Sequence, residues 1–344
     1  MSDSADAKPA TMYDVARLAG VSHQTVSRLL QGKDRIRPEL RERIEAAVRE
    51  LGYRPNLAAR SLATRTSHRI GALVYDMHES GPRQIMAGAN DAARAAGYFL
   101  DTVSLDPHDE AALAAGINVL EQQDLAGILA FAPTDAMRQR LEGARFRVPI
   151  YVGTEDDDGD DSTRPNANLI GATRAVEHLV ALGHRDIVHV SGPADWPSAR
   201  LRARACRDIL ASHELTLVAD IAGDWSPASG FAAARRLIDA GLLSRTSAIF
   251  CANDQMALGV LAALAGAGVS VPGQVSVIGM DDIAEAAYMF PSLSSVPMNF
   301  AVQGHFALER LLAQIDGRDP VGTTSLVATQ VVQRASTAPP SPAP

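Results

Sequence analysis

The sequence predicts a mixed α/β protein: an all-α helix-turn-helix head followed by a two-lobed body of doubly wound parallel sheets. Three observations predict it. Near the start, two short amphipathic segments are joined by a tight turn at Gly20. From Arg69 onward, short apolar runs alternate with helical stretches, the pattern of parallel strands covered on both faces. That alternation runs twice, which makes two lobes.

Composition sets the frame. A chain of 344 residues suits two or three domains, and 47% hydrophobic with 21% charged residues is an ordinary globular mixture. No apolar run approaches the roughly 18 residues that cross a bilayer. The opening MSDSADAKPA lacks the layout of a secretion signal. Cys206 and Cys251 lack metal-type spacing. A cytoplasmic protein without a cofactor or membrane partner is expected. The net charge of −8 is uneven: residues 1–68 carry 12 Lys+Arg against 8 Asp+Glu, a head of +4 on a body of −12. Such a head is suited to a polyanion.

The head occupies residues 11–55. Thr11 can cap a first helix, with Asp14 reaching back in a capping-box variant. Val15, Leu18 and Ala19 then share its inner face, and Gly20 supplies the left-handed stop. A second helix runs from Ser22 to Leu30 with Val26 and Leu29 inward. His23, Gln24, Ser27 and Arg28 are left outward, where Gln24 can pair with adenine and Arg28 with guanine. A third helix opens on Pro38 and closes at Gly52, burying Leu40, Ile44, Val48 and Leu51.

The body spans residues 69–334. Strands are expected at Ile70–Tyr75, Gly127–Phe131, Pro149–Val152, Ile187–Ser191, Ala248–Ala252 and Val275–Gly279. Helices are expected at Gln84–Ala96 and Gly171–Leu182. Ligands of such folds bind beyond the carboxyl ends of strands. There the sequence places Arg202, Trp225, Asn253 and Asp281: a planar cation, an indole, an amide and a carboxylate. Together they suit a sugar, whose hydroxyls take paired hydrogen bonds while its C–H face rests on a ring. Glu155–Asp161 reads as a solvated acidic loop rather than a calcium loop, because Pro165 falls where the bidentate glutamate belongs. No metal or catalytic constellation stands out.

Residues 11–28, TMYDVARLAGVSHQTVSR, and the GYRPN and LAARSLAT stretches at 52–56 and 57–64 resemble the head of the lactose-repressor family. So do SARLR at 198–202, GDWS at 223–226, ANDQMALG at 252–259 and GMDD at 279–282 in the body. The resemblance covers nearly the whole chain. It implies a periplasmic-binding-protein-like sensor on a repressor, with DNA contacts from Thr11, Tyr13, Ser22, His23, Gln24, Thr25, Ser27, Arg28, Tyr53, Asn56, Ala59 and Leu62. Residues 56–68 become a hinge helix and linker, with Leu62 as a wedge in the minor groove. His23 departs from the aromatic residue of the family's type member, which implies a different operator.

In the body the resemblance assigns Arg202, Asn253 and Asp281 to sugar hydroxyls, Trp225 and Phe300 to the apolar wall, and Ser198 to the same pocket. Tyr75, Glu79, Phe131 and Thr154 stand where the type member has serine, leucine, asparagine and aspartate, so the capping half of the site differs; Pro82 is kept. The N-lobe is drawn at about 69–166 and 298–325, and the C-lobe at about 167–297 and 326–334. The Pro/Ala-rich residues 335–344 are expected to be a disordered tail. The leucine heptads by which the type member forms tetramers would lie beyond that tail, so a homodimer on a pseudo-palindromic double-stranded DNA operator is expected. A nucleobase corepressor, a sugar-binding transport receptor and a sugar-processing enzyme are the competing readings.

Overall fold

The computed structural model describes residues 10–30, 36–53, 67–75, 77–106, 108–154, 166–319 and 330–341. It forms two compact units, Met1–Ser67 and His68–Pro344.

In the head, α1 (Met12–Ala19), α2 (His23–Leu30) and α3 (Pro38–Glu50) enclose a small core of Val15, Ala16, Ala19, Val26, Ile44, Ala47 and Tyr53. The α1 capping box is complete: Thr11 Oγ1 accepts the Asp14 N–H at 3.3 Å, and Asp14 Oδ2 accepts the Thr11 N–H at 2.9 Å. Gly20 adopts φ 62°, ψ 40°. Arg43 of α3 donates to the Ala19 carbonyl at 2.6 Å, so a side chain satisfies the end of α1. Leu18 corrects the spacing argument, because it is 46% exposed. The small Ala16 and Ala19 allow close packing beside Val15, which leaves Leu18 on the rim of that face.

The second unit has two all-parallel sheets. In the first, the order is β2-β1-β3-β4, formed by Phe99–Leu105, Arg69–Tyr75, Gly127–Ala132 and Ile150–Thr154. In the second it is β6-β5-β7-β8-β9, formed by Ala219–Ala222, Ile187–Ser191, Ala248–Cys251, Ser276–Asp281 and Ser294–Pro297. Every residue of β3, β7 and β8 is buried, as strands covered on both faces must be. Helices α4 (Ser80–Ala95), α5 (Glu110–Glu121) and α6 (Asp135–Gly143) belong to the first lobe. The second holds α7 (Ala167–Ala181), α8 (Pro197–Ser212), α9 (Pro227–Asp239) and α10 (Asp254–Gly266). After β9 the chain returns to the first lobe as α11 (Phe300–Ile315), packed on α4. That contact is backbone-close: a Cβ on Gly88 would sit 1.8 Å from the Ala301 carbonyl oxygen, and one on Gly304 1.8 Å from that of Ile85.

Residues 335–341 overturn the expected disorder of the tail. Ser336 and Thr337 are buried against the second sheet. Ser336 Oγ donates to the Val277 carbonyl at 2.6 Å and accepts the Ser294 N–H at 2.8 Å. His178 Nε2 meets Thr337 Oγ1 at 3.1 Å, and His184 Nε2 meets the Ala338 carbonyl at 2.9 Å. A Pro/Ala-rich composition lowers the entropy lost on ordering, and the serine and threonine supply the hydrogen bonds that fix it.

Candidate ligand cleft and nucleic-acid interface

In the head, His23, Gln24 and Arg28 stand exposed on one side of α2, whose other side is closed by Val26. Ser22 caps this helix, its Oγ accepting the Thr25 N–H at 3.2 Å, while Thr25 and Ser27 are partly covered. Tyr13 is 66% exposed on α1, and its ring lies 5.1 Å from that of His23. Thr11 is exposed at the helix start, although its hydroxyl is committed to Asp14. Tyr53 does not share this surface. It is buried in the head core, and burial raises its phenol pKa. Asn56, Ala59 and Leu62, with the hinge stretch 57–64, lie outside the described residues, as does the acidic loop 155–161.

Between the lobes of the second unit is a cleft lined by residues of both lobes. Seven expected ligand residues wall it: Glu79, Ser198, Arg202, Trp225, Asn253, Asp281 and Phe300. Arg202 projects from α8 and is 5% exposed. Its Nε donates to Asn168 Oδ1 at 2.9 Å and its Nη1 to the Ala252 carbonyl and, at 3.4 Å, to Asp281 Oδ1. Its guanidinium carbon lies 5.4 Å from the centre of the Trp225 ring. Asn253 caps α10 by accepting the Met256 N–H at 2.8 Å, and donates to the Trp225 carbonyl at 2.9 Å. Its amide therefore builds the wall as well as facing the cleft.

Behind Asp281 lies Asp254, fully buried. Its two oxygens accept Ser295 Oγ at 2.6 Å and the Ile283 N–H at 2.9 Å. Burial, and then the negative charge of Asp281, hold its carboxyl well above the usual carboxylate range.

Two further features set the cleft apart from ordinary core. Trp225, Asp281 and Asp282 have φ of 73°, 115° and 52°, a backbone region that costs side-chain-bearing residues roughly 1–3 kcal/mol each and collects at functional sites. Among the described residues, the indole N–H groups of Trp196 and Trp225 and the hydroxyl of Ser198 are buried without a hydrogen-bond partner. Unsatisfied polar groups of this kind suit a polar ligand.

Two expected ligand residues are placed elsewhere. Tyr75 is buried at the end of β1 and meets Trp196 edge-on, ring centres 5.3 Å apart. It supports the wall rather than forming it. Phe131 is buried in β3 against Gly153. Thr154 ends β4. Conversely, Trp196, Asn168, Gln255, Met298 and Gln303 line the cleft and were missed. Trp196 had a signal: a tryptophan directly before Pro197 at a strand-to-helix junction, two residues from Ser198.

The chain crosses between the lobes beside this cleft. Ala167 and Asn168 line it after the first crossing, and Met298, Asn299 and Phe300 at the return. The lobes also touch directly: Gln255 Oε1 accepts the Ser80 N–H at 3.2 Å, and Arg200 pairs with Asp135 at 2.8 Å. A ligand here therefore touches both lobes and their connections.

Residues 11–56 match the family model described as bacterial regulatory proteins, lacI family, and residues 176–337 match that of a periplasmic binding protein-like domain. The chain is 33% identical over 337 residues to the lactose operon repressor of Escherichia coli (strain K12), which covers 96% of this chain and 92% of that one. The chain belongs to the lacI family of bacterial regulatory proteins. As a member of that family it is a DNA-binding transcriptional regulator and not an enzyme. It is also 33% identical over 311 residues to the ribose operon repressor of the same organism, covering 89% and 93% of the two chains. Among solved structures, the lac repressor dimer bound to operator and the anti-inducer ONPF matches with a TM-score of 0.81 at 31% identity, over 96% of this chain and 100% of that one. No helix among the described residues is long and apolar enough to cross a membrane.

Proposed function

We propose that this lacI-family regulator is a cytoplasmic, homodimeric repressor that releases a pseudo-palindromic operator when a small sugar or glycoside occupies the cleft. The observation that carries the reading is the chemistry of the cleft. The Arg202–Asp281 pair offers donors and acceptors side by side, while the Trp225 and Phe300 rings provide an apolar wall for a sugar's C–H face.

In the head, α2 is the element that enters the major groove, with Gln24 and Arg28 as base readers. A bidentate Arg–guanine pair contributes about 1–3 kcal/mol of discrimination. Two copies are needed for a palindrome. The exposed Phe231 and Leu258, on the packed helices α9 and α10, supply apolar surface for that pairing.

An inducer acts only by binding the two lobe arrangements unequally. Here it would draw Arg202 and Asp281 toward Glu79 and Phe300 across the cleft, straining the Ser80–Gln255 and Asp135–Arg200 contacts. Selection of bound sequences from random duplexes tests the regulator directly. Recovery of a two-fold-symmetric site whose half-sites change with Gln24→Ala or Arg28→Ala supports it. Enrichment of no symmetric site refutes it. In the same assay a nucleobase that tightens operator binding would replace the inducer reading with a corepressor one.

A further inference from the structure

The cleft does not end at Trp196. A second, wider chamber opens on the other side of the two tryptophans. Glu79, Trp196, Trp225 and Gln255 line both spaces, so the chambers share a wall. The outer one is framed from the first lobe by His78, Asp106 and His108, and from the second by Asp224 and Pro193. His108 Nδ1 comes within 3.6 Å of Asp195 of the other lobe, so the two sides approach each other at the chamber's edge.

We propose, building on the sugar-sensor reading, that the effector is a neutral saccharide of two rings, one in the inner chamber and one in the outer, joined past Trp196. Three observations converge. Trp196 is 5% exposed and Trp225 4%, both indole N–H groups lack a partner among the described residues, and both rings face the two spaces. An oxygen at the junction of the two sugar rings would satisfy a donor that a single inner ring leaves buried and unpaired.

The outer wall sets apolar surface from Met77, Leu105, Pro193 and Pro227 beside polar side chains, a mixture that matches the C–H face and the hydroxyls of a second sugar ring. Its charged groups are carboxylates, Glu79, Asp106 and Asp224, beside the imidazoles of His78 and His108. At neutral pH that field disfavours sugar phosphates and uronates. The Tyr75 ring braces Trp196 edge-on, and the Trp196 and Trp225 rings lie 5.7 Å apart, so the dividing wall is held from both sides.

The chain contains two tryptophans, and both stand in this wall. Tryptophan fluorescence of the full-length protein, excited selectively over tyrosine, therefore reports on the cleft. Titration with a panel of neutral disaccharides, their component monosaccharides, hexuronates and hexose phosphates tests the proposal. It predicts a disaccharide whose affinity exceeds that of either component by at least tenfold. Asp106→Ala and His108→Ala, both at exposed positions, are expected to pull that affinity down toward the monosaccharide value. A monosaccharide that binds as tightly as every disaccharide containing it would overturn the two-chamber site while leaving the sugar sensor intact. A hexuronate or hexose phosphate as the tightest ligand would overturn it too. No fluorescence response to any saccharide would sink both the proposal and the sugar reading beneath it.

Discussion

Arg202 is the residue on which the cleft turns, because its guanidinium ties Asn168, Ala252, Asp281 and the Trp225 face together. Arg202→Ala is expected to leave operator affinity intact and abolish the effector response, read by fluorescence anisotropy of a labelled operator. Arg202→Lys will not restore the response, since a point charge cannot satisfy a planar set of partners. Normal induction in either variant would mean that the cleft residues are misassigned. Gly192 tests the wall in another way. A Cβ there would stand 2.3 Å from Trp225 ring atoms, so Gly192→Ala must displace the indole. The expected result is loss of at least about tenfold in effector affinity, equivalent to 1.4 kcal/mol, with operator binding retained. At this scale the C-lobe half of the site was legible, because Arg202, Trp225, Asn253 and Asp281 follow strand ends. Tyr75 and Phe131 were misjudged for a physical reason. A side chain at or next to the end of a strand can point into the layer beneath, and sequence alone does not fix where the cleft floor stops.

The strands visible in the sequence were those with continuous apolar runs. β1, β3, β4, β5, β7 and β8 all announce themselves as apolar runs, whereas β2, β6 and β9 do not. β2 is a half-exposed edge, β6 an edge of four residues, and β9 begins with two buried serines, Ser294 hydrogen-bonded to the tail and Ser295 to Asp254. That tail is the clearest case of tertiary context defeating composition. Its clasp also carries a pH signature. Burial and the neighbouring His184 lower the His178 pKa, and burial lowers that of His184 despite its bond to the Ala338 carbonyl. Folding thus favours both neutral rings. The stability they lend is present above the ordinary histidine pKa of about 6.5 and is lost as pH falls through the lowered folded values. Thermal melts are expected to show a lower midpoint at acid than at neutral pH, and His178→Gln with His184→Gln to reduce that difference. An unchanged pH profile in the double variant would remove the histidines from the clasp. In the head, Thr11→Ala removes the α1 cap and is expected to cost about 1 kcal/mol of head stability by denaturant titration.

At the scale of the molecule, regulation joins three requirements: two heads for a palindrome, a cleft that touches both lobes, and unequal binding to two lobe arrangements. The first is tested at the apolar surface of α9 and α10. Leu258→Asp puts a charge where Leu258 is 42% exposed, on the helix packed against that of Phe231, so monomer chains should still fold. Sedimentation is expected to show dissociation at concentrations where the parent is dimeric, with operator affinity falling in step; a dimer as stable as the parent's would place the interface elsewhere. The architecture was legible from the alternation of strands and helices, and the head from its capping and turn residues. The coupling was not, because it depends on the contacts across the cleft, which no local pattern announces. The most direct test of the account measures operator affinity and tryptophan fluorescence together during one effector titration. The account predicts that operator affinity falls as the cleft fills, by a coupling of ~1–3 kcal/mol. Full occupancy of the cleft with unchanged operator affinity would contradict it.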